Sequence, residues 1–470
     1  MTISAFIIFS AFVAAIAILV IQRVQRFHLV ILLSLIAIFW VRMIYMWPGD
    51  DDLDLIMLYP PVYSLERIFD PTQYYQEFRP MLHFVNFMLA SIFGREYIGW
   101  KIASLFFHFI NTLLVYRIAT SFLHSEKVCL AAAAIYTVHP APAWEIMQAG
   151  NTYMVTFFFL VSFITFVWSF EKKAKTGWYA LSVAAFTTGL FFKASMLMMC
   201  LVIPCYLLFY VTPSRFFRKG LKLLPYAVIA IGYLLLKITW ETKFDKVAEG
   251  GIGLGPHMFT QFMDYLALIV FPKLHPITQE NWANIIAFDA YAHFPIRYPF
   301  TFFPIEGLHG LLRLGSLAVL IALFITGERR ERFFLLWIPA TLIIYLALID
   351  DVGSHYTRLP VAGFAIILAQ TGRRLYHYSS RFRKPAVLGT ILMLLFGFYW
   401  IQAYRVTNLY YVEGVITAAK SEGREENYNF SEITNIQAVR DLHRRLRPEF
   451  LSFVNEEAAK RPYIGVMAED

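Results

Sequence analysis

The chain carries little charge for its length. Asp, Glu, Lys and Arg make up 16% of its 470 residues, whereas a soluble globular domain has about 25%. It has only three cysteines, Cys129, Cys200 and Cys205, all inside apolar stretches, where a thiol behaves as a small hydrophobic group. The low charge excludes an ordinary soluble domain, and the low cysteine content excludes a disulfide framework.

The sequence also lacks a continuous basic stripe and an internal repeat. The formal net charge is +8, but the Lys and Arg residues fall in short clusters between apolar segments. No similarity recurs at the spacing of about 20 to 50 residues that marks repeat proteins. A nucleic-acid-binding surface, which needs clustered positive charge on one face, is therefore excluded as a partner site.

Apolar residues dominate instead, at 58% of the chain, with 17% aromatic. A membrane span needs about 20 predominantly apolar residues. The stretches that come near this length are 4–22, 28–47, 97–120, 128–146, 152–170, 178–192, 195–211, 223–240, 308–326, 333–349, 359–371 and 386–404. We therefore expect an all-α polytopic membrane protein with about 12 transmembrane helices.

The distribution of basic residues predicts the orientation. Lys and Arg cluster in alternate loops, which are predicted to be cytoplasmic: 23–26, 127, 172–175, 215–222, 329–332 and 373–384. The other loops and both termini are expected outside. The first apolar segment has no preceding basic residue and no cleavage pattern, which favours a retained span. We expect a bacterial inner membrane, since the chain lacks soluble repeats and retention signals.

Two predicted outer loops, 48–96 and 241–307, are long enough to cover a functional site. In the first, Pro80 is expected to begin an interfacial helix with Phe84, Met88 and Ile92 on one face before Gly94. In the second, 259–271 is apolar but too short to span, which favours a re-entrant or surface helix. These loops belong to a transmembrane module over 1–404, followed by a small helical non-cytoplasmic tail over 405–470.

An acidic cluster, Asp50, Asp51, Asp52 and Asp54, directly follows the second predicted span. Carboxylates this close together disfavour one another's ionisation. One of them could accept a proton from a hydroxyl nucleophile, or several could share a divalent cation. A solvated acidic loop accounts for the same pattern.

Six short motifs follow in order. They are Phe78-Arg79-Pro80-Met81, Phe93-Gly94, the helix from Tyr97 to His108, His139-Pro140 with Glu145, Lys193-Ala194-Ser195, and His355-Tyr356-Thr357-Arg358-Leu359-Pro360. Together with the acidic cluster this order resembles the GT-C superfamily of polytopic glycosyltransferases, in the branch of the protein O-mannosyltransferases and their bacterial relatives. The chain departs from that pattern at Asn151, Ala194 and His355, where many relatives have Arg, Glu and Arg.

The resemblance implies a GT-C-like fold and a single-displacement transfer of a sugar from a polyprenyl-phosphate carrier to a hydroxyl on the outer face. Asp51 is expected to be the base, with Asp50 or Asp52 as its partner, although the register among the three stays open. Four residues are expected to hold the carrier phosphate: Arg79, Lys193, His355 and Arg358. Glu145 is expected to bind the acceptor or to support the site.

Several alternatives remain open at this stage. The cofactor is unknown, and a divalent cation such as Mg or Mn would be held by Asp50, Asp52 and Asp54. The acceptor could be a lipid, a glycan or a protein hydroxyl. Membrane lipids are a further expected partner, because they surround the protein. Basic residues at helix ends also serve as interfacial anchors without any ligand. The rival functions are an O-antigen ligase or polymerase, and a flippase or transporter of lipid-linked sugars.

Overall fold

The computed structural model describes eleven stretches of the chain and a few single positions. These are residues 2–22, 24–45, 68–69, 79–94, 97–141, 152–171, 175–211, 219–241, 253–270, 305–347 and 354–381, with 389–390, 393–394, 397, 399 and 403. Every regular element within them is helical. The predicted all-α class is confirmed for this part of the chain, while the tail 405–470 lies outside it.

Fourteen α-helices lie within the described residues. In chain order they are α1 (Thr2–Ile21), α2 (Arg26–Trp40), α3 (Pro80–Phe93), α4 (Tyr97–Phe122), α5 (Glu126–Val138), α6 (Thr152–Glu171), α7 (Lys175–Leu190), α8 (Met199–Tyr210), α9 (Leu224–Glu241), α10 (His257–Val270), α11 (Ile305–Thr326), α12 (Arg329–Ala340), α13 (Ile343–Leu346) and α14 (Arg358–Arg381). Short 3-10 helices occur at Val41–Tyr45, Ala194–Met198, Leu221–Leu223 and Ser354–Thr357.

Three described helices are long and apolar enough to cross a membrane. They are Tyr97–Phe122, Tyr153–Phe170 and Leu221–Thr239. A fourth span is added if Ile7–Ile21 and Arg26–Trp40, which meet at 118°, count as one broken span. The membrane character of the chain therefore has structural support, but the predicted number of about 12 spans is not reached among these residues.

The helices form a bundle around an aromatic core. Helix α6 packs between α4 and α7, while α5 packs against both α4 and α14. Helix α12 then joins α14 to α8. Where α4, α6, α8 and α12 meet, the rings of Phe122, Phe163, Tyr206, Phe333 and Trp337 interlock, with the Phe163 and Trp337 centroids 4.8 Å apart. Aromatic pairs at such distances stabilise packing beyond the area they bury, so this core fixes α12 against α6.

Helix α3 begins and ends where the sequence predicts. Pro80 occupies its first position and Gly94 follows its last residue with a φ of +57°, a conformation that glycine adopts without steric cost. Phe84 and Met88 are buried as expected. Ile92 is 55% exposed, so the predicted apolar face is buried only over its first two turns.

Two predicted spans end earlier than expected, each near a proline. The predicted helix 128–146 stops at Val138, because the residue before Pro140 is driven out of the helical conformation, and His139 has a ψ of 122°. The predicted helix 333–349 breaks after Ala340. Pro339 lies in its last turn, where it removes a backbone donor, and the chain resumes as the short helix α13.

The apolar segment predicted at 259–271 forms α10, a helix of 14 residues. It packs against α11, α13 and α14 and buries Tyr265, Leu266 and Ile269 completely. Asp264 on this helix accepts a hydrogen bond from Arg313 Nε on α11 at 2.6 Å. This segment is too short to count as a span by length, as predicted, and it packs against the bundle.

The packing of α14 gives a stability prediction with an internal control. A Cβ added at Gly363 would lie 2.6 Å from Trp337 Cδ1, whereas one added at Gly372, on the same helix, meets nothing within 4 Å. We expect Gly363→Ala to destabilise the protein by about 1–3 kcal/mol through overpacking. Gly372→Ala should be neutral or stabilising by up to about 1 kcal/mol. Thermal unfolding in detergent measures both, and equal effects would contradict the described contact.

Candidate functional site

Four separate segments of the chain meet at one small cavity. They are the start of α6, the 3-10 helix before α8, α13, and the start of α14. The described residues that line the cavity are Val155, Thr156, Lys193, Ser195, Tyr345, Tyr356, Arg358 and Leu359. Two residues predicted from motifs, Lys193 and Arg358, are thus brought together although they are far apart in the sequence.

Arg358 is the first residue of α14, and only 1% of its surface is exposed. Its Nη2 lies 3.4 Å from Nδ1 of His108, and Nε2 of the same ring lies 3.1 Å from the Thr137 carbonyl oxygen. A carbonyl oxygen only accepts, so Nε2 carries the proton and Nδ1 accepts from the guanidinium. His108 therefore orients the Arg358 side chain.

The first turn of α14 is anchored from the opposite side by Trp337. Its Nε1 donates a 2.8 Å hydrogen bond to the Leu359 carbonyl oxygen. Trp337 itself is buried in the aromatic core. The position of Arg358 is consequently fixed by two neighbours, His108 on α4 and Trp337 on α12.

Lys193 is held at the cavity by an aromatic stack. It precedes the 3-10 helix Ala194–Met198 in an extended conformation, and its Nζ lies 5.0 Å from the centroid of the Tyr356 ring. The Tyr356 ring in turn stacks on Tyr345, with centroids 4.0 Å apart. An ammonium over an aromatic face is attracted by the ring quadrupole, so the two tyrosines position this charge.

Tyr356 offers a matched pair of substitutions. Tyr356→Phe keeps the ring face that attracts Lys193, whereas Tyr356→Leu removes it. We expect the leucine variant to weaken binding of a phosphate-bearing ligand at the cavity about three- to tenfold, because a cation–π contact contributes about 0.5–2 kcal/mol. The phenylalanine variant should stay near wild type. Equilibrium binding measurements on the two variants test this, and equal affinities for both would remove Tyr356 as a positioning residue.

Arg79 lies next to the Lys193 segment but outside the described cavity lining. The Met81 N–H donates a 3.2 Å hydrogen bond to the carbonyl oxygen of Phe191, which joins the start of α3 to the turn before Lys193. Burial, together with the Arg79 charge, lowers the pKa of His83 to about 3. His83 is therefore neutral near pH 7, and Arg79 carries the positive charge of this turn.

The described cavity lining is positively charged. It contains one lysine and one arginine and no acidic residue. It also lies at the start of one helical segment, Ala194–Met198, which continues directly into α8 and whose first backbone N–H groups and dipole favour an anion. The arrangement is suited to binding a negatively charged group.

Several predicted site residues lie outside the described part of the chain. These are Asp50, Asp51, Asp52, Asp54 and Glu145. The backbone of His355 belongs to the 3-10 helix Ser354–Thr357, but its side chain is not described. Among the described residues, no group of three or more His, Cys, Asp or Glu side chains could hold a metal ion.

The sequence contained a signal for His108 that its motif did not bring out. Four polar residues recur at spacings of three and four along the apolar helix α4, and all are buried: Lys101, Ser104, His108 and Asn111. Residues at this spacing share one helix face. A polar stripe inside an apolar helix indicates an inward-facing functional surface, and here it reaches Arg358.

A family comparison covers the second to fifth motifs, all but the first residue of the first motif, and none of the sixth. Residues 79–240 match the family model described as dolichyl-phosphate-mannose-protein mannosyltransferase. This range includes Arg79, Lys193 and His108 and ends before Arg358. No curated protein sequence matches the chain at a significant level.

The fold has a solved counterpart. The oligosaccharyltransferase of Archaeoglobus fulgidus, solved tethered to an acceptor peptide, superposes with a TM-score of 0.50 at 14% identity, covering 82% of this chain and 55% of that chain. The chain thus spans about half the length of that enzyme. At this identity the match shows a shared fold.

Two other solved structures are similar more loosely. The Archaeoglobus fulgidus oligosaccharyltransferase AglB with an inhibitory peptide and a dolichol-phosphate matches with a TM-score of 0.48 at 13% identity, covering 87% of this chain and 59% of that one. ArnT from Cupriavidus metallidurans matches with a TM-score of 0.41 at 16% identity, covering 84% and 78%. The resemblance drawn from the motifs is confirmed over residues 79–240, which match the dolichyl-phosphate-mannose-protein mannosyltransferase family model, and the chain shares the fold of the Archaeoglobus fulgidus oligosaccharyltransferase.

Proposed function

We propose that this protein is a membrane glycosyltransferase that moves a sugar from a polyprenyl-phosphate carrier to a hydroxyl acceptor on the non-cytoplasmic face. The observation that carries the proposal is the cavity in which Lys193 and Arg358 converge without an acidic residue among its described lining. A phosphate group is the anion that such a lysine and arginine pair would bind in this family. The family match and the shared fold support the same reaction class.

The two cations fit the charge that develops during transfer. A sugar linked to a polyprenyl phosphate is a phosphodiester with one negative charge. When the bond between the anomeric carbon and the phosphate oxygen breaks, the electron pair stays on the phosphate, which becomes a monoester with a charge of about −2 near pH 7. Lys193 and Arg358 would therefore stabilise the transition state more than the bound donor.

The short length of helix α5 is consistent with a site that takes a lipid carrier. Helix α5 has 13 residues and is about 20 Å long, shorter than the hydrocarbon core of about 30 Å. Thr137 at its end contacts His108, which contacts Arg358. If Glu126 lies at the cytoplasmic face, these groups lie below the outer surface, where a buried arginine indicates a functional site.

We assign the acceptor chemistry to the acidic cluster. Asp51 takes the proton of the acceptor hydroxyl. The oxygen of that hydroxyl bonds to the anomeric carbon at the same time, and the polyprenyl phosphate leaves. Asp50 or Asp52 orients this base. Glu145 binds the acceptor, and Arg79 and His355 complete the binding of the phosphate. The acceptor is a lipid, a glycan or a protein hydroxyl.

A divalent cation is a further part of this proposal. Asp50, Asp52 and Asp54 offer the carboxylate oxygens that Mg or Mn takes as ligands. If they hold such an ion, EDTA abolishes activity and added Mg or Mn restores it. Unchanged activity in EDTA would leave these carboxylates with their acid–base role alone.

The proposed architecture extends beyond the described helices. It comprises about 12 spans within a catalytic module over 1–404, interfacial helices in the outer loops 48–96 and 241–307, and the tail 405–470 on the same outer side. The membrane is a bacterial inner membrane, and the site faces the periplasm or exterior. The basic clusters in alternate loops support this orientation.

Mass spectrometry of lipid and glycan fractions from cells with and without the gene tests the function directly. We expect one glycoconjugate to lose a single sugar when the gene is absent, and the wild-type gene to restore it. An Asp51→Asn gene should fail to restore it. If every lipid and glycan is unchanged in the deletion strain, the proposed function is wrong.

A further inference from the structure

Ser195 is a buried polar residue of the cavity to which no motif assigns a role. It is 3% exposed and lines the cavity together with Lys193 and Arg358. Its Oγ has no hydrogen-bond partner among the described residues. A buried hydroxyl in that condition is costly to maintain, and most buried polar groups in proteins are hydrogen-bonded.

Other buried serines of the same bundle are satisfied. Ser162 on α6 donates a 2.9 Å hydrogen bond to the Ser182 carbonyl oxygen on α7, and the Ser182 Oγ lies 2.6 Å from the Tyr226 hydroxyl. These hydroxyl groups join helices to one another. Ser195 makes no such connection among the described residues, so packing does not account for its hydroxyl.

We propose that the Ser195 hydroxyl donates a hydrogen bond to a non-bridging phosphate oxygen of the polyprenyl-phosphate carrier. This rests on the proposed function and adds a neutral donor to the two cations of that site. Ser195 is two residues after Lys193 and is the second residue of the 3-10 helix Ala194–Met198, which leads into α8. The cavity therefore presents an ammonium, a guanidinium and a hydroxyl to one anion.

The charge of the cavity favours a phosphate oxygen over a sugar hydroxyl as the Ser195 partner. Lys193 and Arg358 attract the most negative atoms of a ligand, and a hydroxyl beside them completes their coordination. A hydrogen bond to a charged oxygen is about twice as strong as one between neutral groups. The hydrogen bond from Ser195 should therefore be strongest to the released polyprenyl phosphate, which carries a greater negative charge than the sugar-linked donor.

Binding of undecaprenyl phosphate to the purified full-length protein in nanodiscs tests this, with undecaprenol as the ligand that lacks phosphate. We expect Ser195→Ala to weaken undecaprenyl phosphate binding about tenfold, because hydrogen bonds to charged groups contribute about 1.5–3 kcal/mol. Undecaprenol binding should be unchanged. Ser195→Thr keeps a hydroxyl and should retain more affinity than the alanine variant.

Ser162→Ala is the matched control. Its hydroxyl is satisfied within the protein, so its loss should lower the Tm of the ligand-free protein while leaving undecaprenyl phosphate binding unchanged. Ser195→Ala removes an unsatisfied hydroxyl and should leave the Tm equal or higher. The two variants thus have opposite expected effects on stability and binding.

The outcomes separate this inference from the proposed function. If Lys193→Met and Arg358→Gln abolish undecaprenyl phosphate binding while Ser195→Ala binds like wild type, the role of Ser195 is refuted and the function stands. A water molecule that satisfies the hydroxyl would give that result. If wild type binds undecaprenyl phosphate no better than undecaprenol, both proposals are overturned.

Discussion

Arg358→Gln is expected to lower kcat/KM for the polyprenyl-phosphate sugar by at least about a hundredfold, equivalent to about 3 kcal/mol of transition-state stabilisation. The guanidinium is buried and held by His108 and by the anchored first turn of α14. Glutamine removes the charge while keeping a polar side chain. The substitution also removes a charge whose burial away from water destabilises the folded protein. The Tm should therefore not fall in parallel with activity.

Arg358→Lys separates charge from geometry. Lysine keeps one positive charge but cannot reproduce the planar fork of the guanidinium. We expect activity between those of wild type and the glutamine variant. If Arg358→Lys and Arg358→Gln lose activity equally, the fork rather than the charge is essential.

Lys193→Met should reduce kcat/KM by a similar factor, since methionine preserves an unbranched side chain without the ammonium. The two cations act on one phosphate, so the double variant should lose less than the product of the two single losses. Lys222→Met is the matched control, because Lys222 also lies over aromatic rings, those of Phe170 and Tyr179, but not at the cavity. Its kinetics should match wild type. Strictly multiplicative losses would contradict a shared ligand.

Replacing Asp50, Asp51 and Asp52 singly with asparagine is the second large test. We expect Asp51→Asn to lower kcat about 10²- to 10⁴-fold with little change in the donor KM, because general base catalysis contributes about that factor. Asparagine at one of the two neighbouring positions, Asp50 or Asp52, should lower kcat less, because that residue orients the base. The register of the three residues is read directly from which variant loses most.

Asp264→Asn serves as the control for this series. Asp264 pairs with Arg313 on α11, so its amide variant should change stability and leave kcat near wild type. Full activity in all three cluster variants would refute the assignment of the base. It would favour an O-antigen ligase or polymerase, in which the acidic cluster is incidental.

Helix positions followed closely from hydropathy where the chain is uninterrupted. The predicted segments 97–120 and 152–170 correspond to Tyr97–Phe122 and Thr152–Glu171. The predictions failed at Pro140 and Pro339, because a window of mean hydropathy does not register a backbone that cannot continue as a helix. The known effect of proline on helix continuation would have corrected both predicted helix ends.

The charged residues of the candidate site were predictable from the sequence, but the residues that position them were not. Motif order and charge bias placed Lys193 and Arg358 on one side of the membrane, and the structure brings both to one cavity. The contacts of Arg358 with His108, and of Lys193 with Tyr356, join segments far apart in the chain. Such pairs depend on how helices pack, which a single sequence does not specify.

The most direct test of the central claim is a transfer assay with the purified protein in liposomes, supplied with undecaprenyl-phosphate monosaccharides and the glycan, lipid and protein fractions of a deletion strain. We predict release of undecaprenyl phosphate in step with addition of a single sugar to one fraction, abolished by Arg358→Gln and by Asp51→Asn. Translocation of the lipid-linked sugar across the bilayer without any transfer would contradict the account and identify a transporter.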